Sequence, residues 1–170
     1  MVQDQSGLFD IRNNVDLYKL RGTQCEAQGL DDQAIEAYKE SARLNPHDAE
    51  TRKRLGRLYA KKGLLYYAIF EYNRALRLTP NDADVYYALG MAYIERGMVD
   101  EAIQEWEEVV RICPDHPAVY HELGHAYAYQ GRYREALDAY RASLRFAPDA
   151  PNVERLRSRI HDLEERINKR

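Results

Sequence analysis

Small, aromatic and apolar residues recur along this chain with a period of 34 residues. Prolines mark the period without an insertion, at Pro46, Pro80, Pro114 and Pro148. Three columns of small residues keep the same register: Gly22, Gly56, Gly90, Gly124; Ala34, Ala68, Ala102, Ala136; and Gly29, Gly63, Gly97, Gly131. One aromatic column follows them: Tyr38, Tyr72, Trp106, Tyr140. A fixed period of this length indicates an array of equivalent structural units.

Each period predicts two helices joined by a tight turn, at about 15–28 and 31–44 in the first repeat. Gly29 and its equivalents end the first helix, where glycine adopts the left-handed conformation without strain. The proline ends the second helix because it has no backbone N–H to donate. The repeats are expected at 15–48, 49–82, 83–116 and 117–150, after an N-terminal extension at 1–14 that is flexible or docked on the first repeat.

These columns resemble the tetratricopeptide repeat, in four successive copies over residues 15–150. The resemblance rests on the prolines, the Ala and aromatic columns, the Leu-Gly pairs and a tyrosine column at Tyr59, Tyr93 and Tyr127. It implies an all-α fold, a right-handed superhelical solenoid of antiparallel helix pairs. It also implies a scaffold or adaptor that binds a partner peptide or helix in a concave groove, with no enzymatic activity and no cofactor.

Residues 151–170 predict one further helix whose apolar residues lie 3, 4, 3 and 4 positions apart. These residues, which we call the cap stripe, are Val153, Leu156, Ile160, Leu163 and Ile167. One apolar stripe with charges elsewhere is typical of a capping helix that covers the last repeat. The alternative is a coiled-coil seam for a partner or a second copy. A self-assembling module, using this helix or the convex face, is therefore the second functional hypothesis.

The resemblance implies that the first helix of each repeat lines the groove. The predicted groove residues are Lys19, Lys53, Arg54, Arg57, Lys61, Tyr87, Met91, Ile94, His121, His125 and Tyr129. Four of them form a basic strip: Lys53, Arg54, Arg57 and Lys61. Apolar and aromatic side chains follow in the third and fourth repeats. We therefore expect a protein or peptide partner with an acidic segment and an apolar or aromatic anchor, unless the basic strip is a solvated face and the aromatic residues only pack between repeats.

The sequence His121-Glu122-Leu123-Gly124-His125 matches the His-Glu-x-x-His pattern of zinc metalloproteases. Residues four apart share a helix face, so two imidazoles can bind one zinc ion while the glutamate activates its water. However, Leu123 and Gly124 already belong to the repeat, and no persuasive third ligand follows at the extended spacing. The expectation is no metal site, with an opportunistic one at His121 and His125 as the weaker reading and a zinc-dependent hydrolase as a remote alternative.

Composition narrows the partner class. The 170 residues carry a net charge of −3, which gives no overall attraction to nucleic acid or to an anionic membrane. Only Cys25 and Cys113 are present, so no disulfide framework is expected. No apolar run reaches the ~18 residues that span a bilayer. A cytoplasmic location is therefore the expectation.

Overall fold

The computed structural model describes the backbone of residues 5–169 and the side chains of residues 14–169. This part of the chain is all-α, and its nine helices are α1 Gln5–Ala27, α2 Asp31–Leu44, α3 Ala49–Lys61, α4 Leu65–Leu78, α5 Ala83–Glu95, α6 Val99–Ile112, α7 Pro117–Tyr129, α8 Tyr133–Phe146 and α9 Val153–Asn168. The predicted all-α class and the presence of two helices in each period are confirmed.

The first helix differs from the sequence expectation at its start. It begins at Gln5, ten residues before the position 15 at which the repeat pattern places it, and no proline interrupts the segment 5–27. Most of the predicted N-terminal extension is therefore continuous with α1, while residues 1–4 lie outside the described residues. No helix within residues 5–169 is both long enough and apolar enough to cross a bilayer.

The chain divides into two compact units, Met1–Arg96 and Gly97–Arg170. The boundary falls between α5 and α6, within the third repeat. In the first unit α1 packs on α2, α2 on α3, α3 on α4 and α4 on α5. In the second unit α6 packs on α7, α7 on α8 and α8 on α9. Within each unit, consecutive helices thus pack on one another, as expected of a repeat array.

Glycines at two positions of the repeat shape the helix pairs. The turn glycines have positive φ angles: 72° at Gly29, 71° at Gly63, 75° at Gly97 and 73° at Gly131. The helix glycines have a different role, since a Cβ there would lie 2.4–2.6 Å from a tyrosine ring, in the pairs Gly22–Tyr38, Gly56–Tyr72 and Gly124–Tyr140. The missing side chain lets each ring lie directly against the backbone of the facing helix.

The cap stripe packs on the last repeat of the second unit. Val153, Leu156 and Leu163 are buried, and Ile160 and Ile167 pack against the cluster around Tyr140. The stripe therefore faces α8 and leaves no exposed seam for a coiled coil.

Candidate functional site

Every member of the basic strip on α3 bonds to a carboxylate of its own unit. Lys53 Nζ lies 3.1 Å from both Asp82 oxygens and 3.2 Å from Asp84 Oδ2. Lys61 Nζ lies 2.8 Å from Asp31 Oδ1. Lys19 on α1 behaves in the same way, with its Nζ 2.8 Å from Asp48 Oδ2.

Glu26 is the centre of this network in the first repeat. Its carboxylate accepts hydrogen bonds from Tyr38 Oη at 2.7 Å, from Arg57 at 2.8 Å and from Arg54 at 3.1 Å. Burial by itself raises the pKa of Glu26, but the hydrogen bonds from Tyr38 and Arg57 outweigh it and hold the pKa below its ordinary value. Arg54 also bonds to Glu50 at 2.7 Å. The strip and its carboxylates therefore form a largely neutral lattice of ion pairs.

Most of these partners were missed by sequence analysis because they lie outside α3 and far away in sequence. The hydrogen-bonded residues are separated by 28 positions for Arg54–Glu26, 31 for Arg57–Glu26, 30 for Lys61–Asp31 and 29 for Lys53–Asp82. An acidic segment would have to compete with these carboxylates to bind here. The acidic partner of the second repeat stays a prediction, without the unpaired charges on which it was based.

The apolar groove residues lie on α5 and α7. Tyr87, Met91 and Ile94 are half-buried on α5 in the first unit. Tyr129, at the end of α7 in the second unit, is 81% exposed. That Tyr87, Met91 and Ile94 form one strip with His125 and Tyr129 stays a prediction.

His121 and His125 form a hydrogen-bonded chain on the second unit. Arg159 NH1 lies 2.9 Å from His125 Nδ1, His125 Nε2 lies 3.3 Å from His121 Nε2, and His121 Nδ1 lies 3.3 Å from Glu122 Oε1. An arginine can only donate, so His125 Nδ1 accepts and its proton resides on Nε2. That proton points to His121 Nε2, which leaves the Nδ1 proton of His121 for Glu122. Each ring nitrogen of the two histidines thus has one role, as a hydrogen-bond donor or as an acceptor.

This arrangement does not fit a zinc hydrolase. Both nitrogens of His125 are engaged, Nδ1 by Arg159 and Nε2 by His121, so a zinc ion would have to displace one of these bonds. Glu122, which would have to activate a metal-bound water, bonds instead to His121. Within residues 14–169, no group of three or more His, Cys, Asp or Glu side chains is placed to hold a metal ion. The motif is better explained as part of the repeat.

The His125 side chain is expected to make the stability of the second unit depend on pH. Burial and the nearby charge of Arg159 lower the pKa of His125 from 6.5 to about 4. As the pH falls, His125 is protonated in the unfolded chain before it is protonated in the folded one. The free energy of unfolding therefore decreases between about pH 6.5 and pH 4. For a half-exposed group we expect about 1–2 kcal/mol after allowance for solvent screening. Urea unfolding between pH 7 and pH 4 should show His125→Gln losing less stability than wild type by this amount.

His161→Gln is the matched control, because that imidazole is exposed on α9. It should follow the wild-type pH dependence closely. Parallel curves for wild type and His125→Gln would contradict the assignment.

Three family models that match this chain all describe the same repeat. Models described as "Tetratricopeptide repeat" match residues 15–58, 50–82 and 81–149. No curated protein sequence matches this chain.

Solved structures of similar fold include two of MamA. One is 26% identical with a TM-score of 0.83, and the match covers 89% of this chain and 81% of that one. The other is 30% identical with a TM-score of 0.78, covering 85% of this chain and 84% of that one. YrrB, described as "a TPR protein with an unusual peptide-binding site", is 19% identical with a TM-score of 0.74. The match covers 90% of this chain and 86% of that one, and at this identity it supports only the fold. Because three repeat models together span residues 15–149, this chain belongs to the tetratricopeptide-repeat family.

Proposed function

We propose that this chain is a protein-interaction scaffold that binds a partner peptide or helix on the first helices of its repeats. The observation that carries the proposal is the accessible apolar face of α5. No charged residue lies between Asp84 and Glu95. Val85, Leu89 and Ala92 are buried within the chain, while Tyr87, Met91 and Ile94 stay accessible. Accessible apolar side chains grouped on a helix are typical of a surface that another protein covers.

The charges of α3 support a secondary role for that helix. Because its lysines and arginines are already paired, bringing up an acidic partner yields little net Coulomb energy. They define the border of the site, whereas the apolar side chains of α5 supply most of the affinity. The partner segment therefore needs an apolar or aromatic anchor first. No catalytic step is part of the proposal.

A display experiment tests this function. Random peptides selected on the purified chain should include binders whose affinity falls at least ~10-fold when Met91 and Ile94 are both replaced by Glu, a loss of about 1.4 kcal/mol. Two carboxylates in the apolar face would have to be desolvated by the bound peptide. The measurement is fluorescence anisotropy with labelled peptides, after circular dichroism has shown that each variant keeps its helix content.

The control places the same change on another accessible apolar face. Tyr66, Tyr67 and Phe70 are exposed on α4, so Tyr67→Glu/Phe70→Glu should leave peptide affinity unchanged. Failure to select any binder would reject the proposed function. If the α4 variant instead abolished a concentration-dependent rise in molar mass, measured by light scattering, self-assembly through α4 would replace it.

A further inference from the structure

Two arginines on α9 differ from the lysines and arginines of α3, which all have carboxylate partners. Arg155 and Arg159 lie four residues apart, and therefore on one side of the helix. In the part of the chain that the structure describes, neither has a carboxylate partner within 4.0 Å, and Arg155 makes no hydrogen bond. Four other arginines of this unit do have carboxylate partners within that distance: Arg111, Arg132, Arg141 with Glu164 at 2.7 Å, and Arg157 with Glu154 at 2.8 Å.

The guanidinium group of Arg159 is held in place by neutral groups. Its NH1 lies 2.9 Å from His125 Nδ1 and 3.4 Å from the hydroxyl oxygen of Tyr140. Both contacts use NH1, so NH2 and Nε still have protons to donate. A guanidinium group presents these donors as a planar fork that matches the two oxygens of a carboxylate. The imidazole and the phenol thus orient the fork without neutralising it.

Two carboxylates are the nearest by position to this fork, and neither is paired with it: Asp162, three residues further along α9, is not within 4.0 Å of Arg159. Glu122 is the carboxylate of the adjacent face of α7, and it bonds to His121. His125 stays neutral at pH 7 because its pKa lies at about 4, and it neither adds nor removes charge there. Tyr129 lies one helical turn beyond His125 on α7 and is exposed. Two positive charges without a carboxylate partner therefore lie on α9, and an exposed aromatic ring lies on α7 one turn beyond the histidine that Arg159 contacts.

We propose that Arg155 and Arg159 bind a carboxylate of an acidic peptide segment on the face formed by α7 and α9, with Tyr129 contacting an adjacent apolar residue of that segment. The proposal rests on the proposed function in that the segment belongs to the partner peptide. Charge complementarity selects the occupant, since the lysines and arginines of α3 already have carboxylates while these two arginines have none. The acidic residue of the partner peptide therefore binds beside the last repeat and not at the second.

Parallel selections from one random peptide library test this assignment. The baits are the wild-type chain, Arg155→Gln/Arg159→Gln, and Arg141→Gln/Arg157→Gln as a control that removes two arginines already paired with carboxylates. Asp and Glu should be enriched among peptides selected on the wild type and on the control, and this enrichment should disappear on Arg155→Gln/Arg159→Gln. Selected acidic peptides should bind that variant at least ~10-fold more weakly, as measured by fluorescence anisotropy.

The outcomes separate the two proposals. If peptides are selected without acidic enrichment, the carboxylate site is wrong while the proposed function stands. If no peptide is selected on any bait, the proposed function fails. Replacing the Glu of a selected peptide by Gln should abolish the preference for wild type over Arg155→Gln/Arg159→Gln. Binding that requires phosphoserine in place of Glu would assign the site to a phosphopeptide and overturn the carboxylate assignment.

Discussion

Replacing Arg52 by Met is expected to lower the free energy of unfolding at pH 7 by about 3–5 kcal/mol. Arg52 is buried on α3, with 6% of its side chain exposed, and its NH1 lies 3.1 Å from Glu71 Oε2 on α4. Its NH2 lies 3.1 Å from the carbonyl oxygen of Ala42 on α2. One side chain thus joins three helices. The Arg52→Met variant would keep the Glu71 carboxylate, which is 11% exposed in the wild type, without Arg52 beside it.

The loss should come from the orphaned carboxylate and not from the value of the ion pair itself. Removing two charges from water costs about as much as their attraction returns, and here the Nε of Arg52 is buried without a hydrogen-bond partner. The double variant Arg52→Met/Glu71→Met should therefore recover to within about 1 kcal/mol of wild type. Urea denaturation of the wild type, both single variants and the double variant gives the coupling energy directly.

A surface pair supplies the matched control. Arg43 bonds to Glu40 at 2.9 Å, and 68% of its side chain is exposed. Arg43→Met should cost less than about 0.5 kcal/mol. If Arg52→Met were as mild as Arg43→Met, the buried pair would have no role in holding α2, α3 and α4 together.

The fold was predictable because its determinants are carried by residue size and backbone conformation. The turn glycines do have positive φ, and Tyr38, Tyr72, Trp106 and Tyr140 are buried. The early start of α1 was not predicted, because the repeat pattern says nothing about residues that precede its first column. The burial of the cap stripe was the favoured of two readings, and periodicity alone could not decide between a cap and a seam.

The candidate site was only partly predictable, since a column places a Cβ atom but not the end of a long side chain. The basic strip lies on α3 as expected, yet its charge is compensated by acids about 30 residues away. A search for opposite charges at that separation would have found them. Arg159 and His125 are 34 residues apart, one full period. That pairing was missed because the groove prediction stopped at the fourth repeat and did not extend to α9.

Replacing Gly124 by Val is expected to destabilise the second unit by about 3 kcal/mol. A Cβ at this position would lie 2.4 Å from Tyr140 Cδ1 and 2.5 Å from Cε1, before the two methyl groups of Val are added. The ring is 1% exposed and packs with Leu137, Leu156 and Leu163, so it has no free space to enter. The better helix propensity of Val offsets less than about 1 kcal/mol.

The Gly124→Val effect should depend on the Tyr140 ring. In a Tyr140→Leu background the added cost should fall by at least about 1 kcal/mol, because the overlapping ring atoms are gone. Gly131→Val is the control: it is strained by a φ of 73° but has nothing within 4 Å of the added Cβ, so Tyr140→Leu should not relieve it. Equal costs of Gly124→Val in both backgrounds would contradict the close approach. The Tyr140 hydroxyl also contacts Arg159. Gly124→Val should therefore also lower the affinity for acidic peptides that were selected on the wild type, since a displaced Tyr140 no longer holds Arg159 at the proposed carboxylate site.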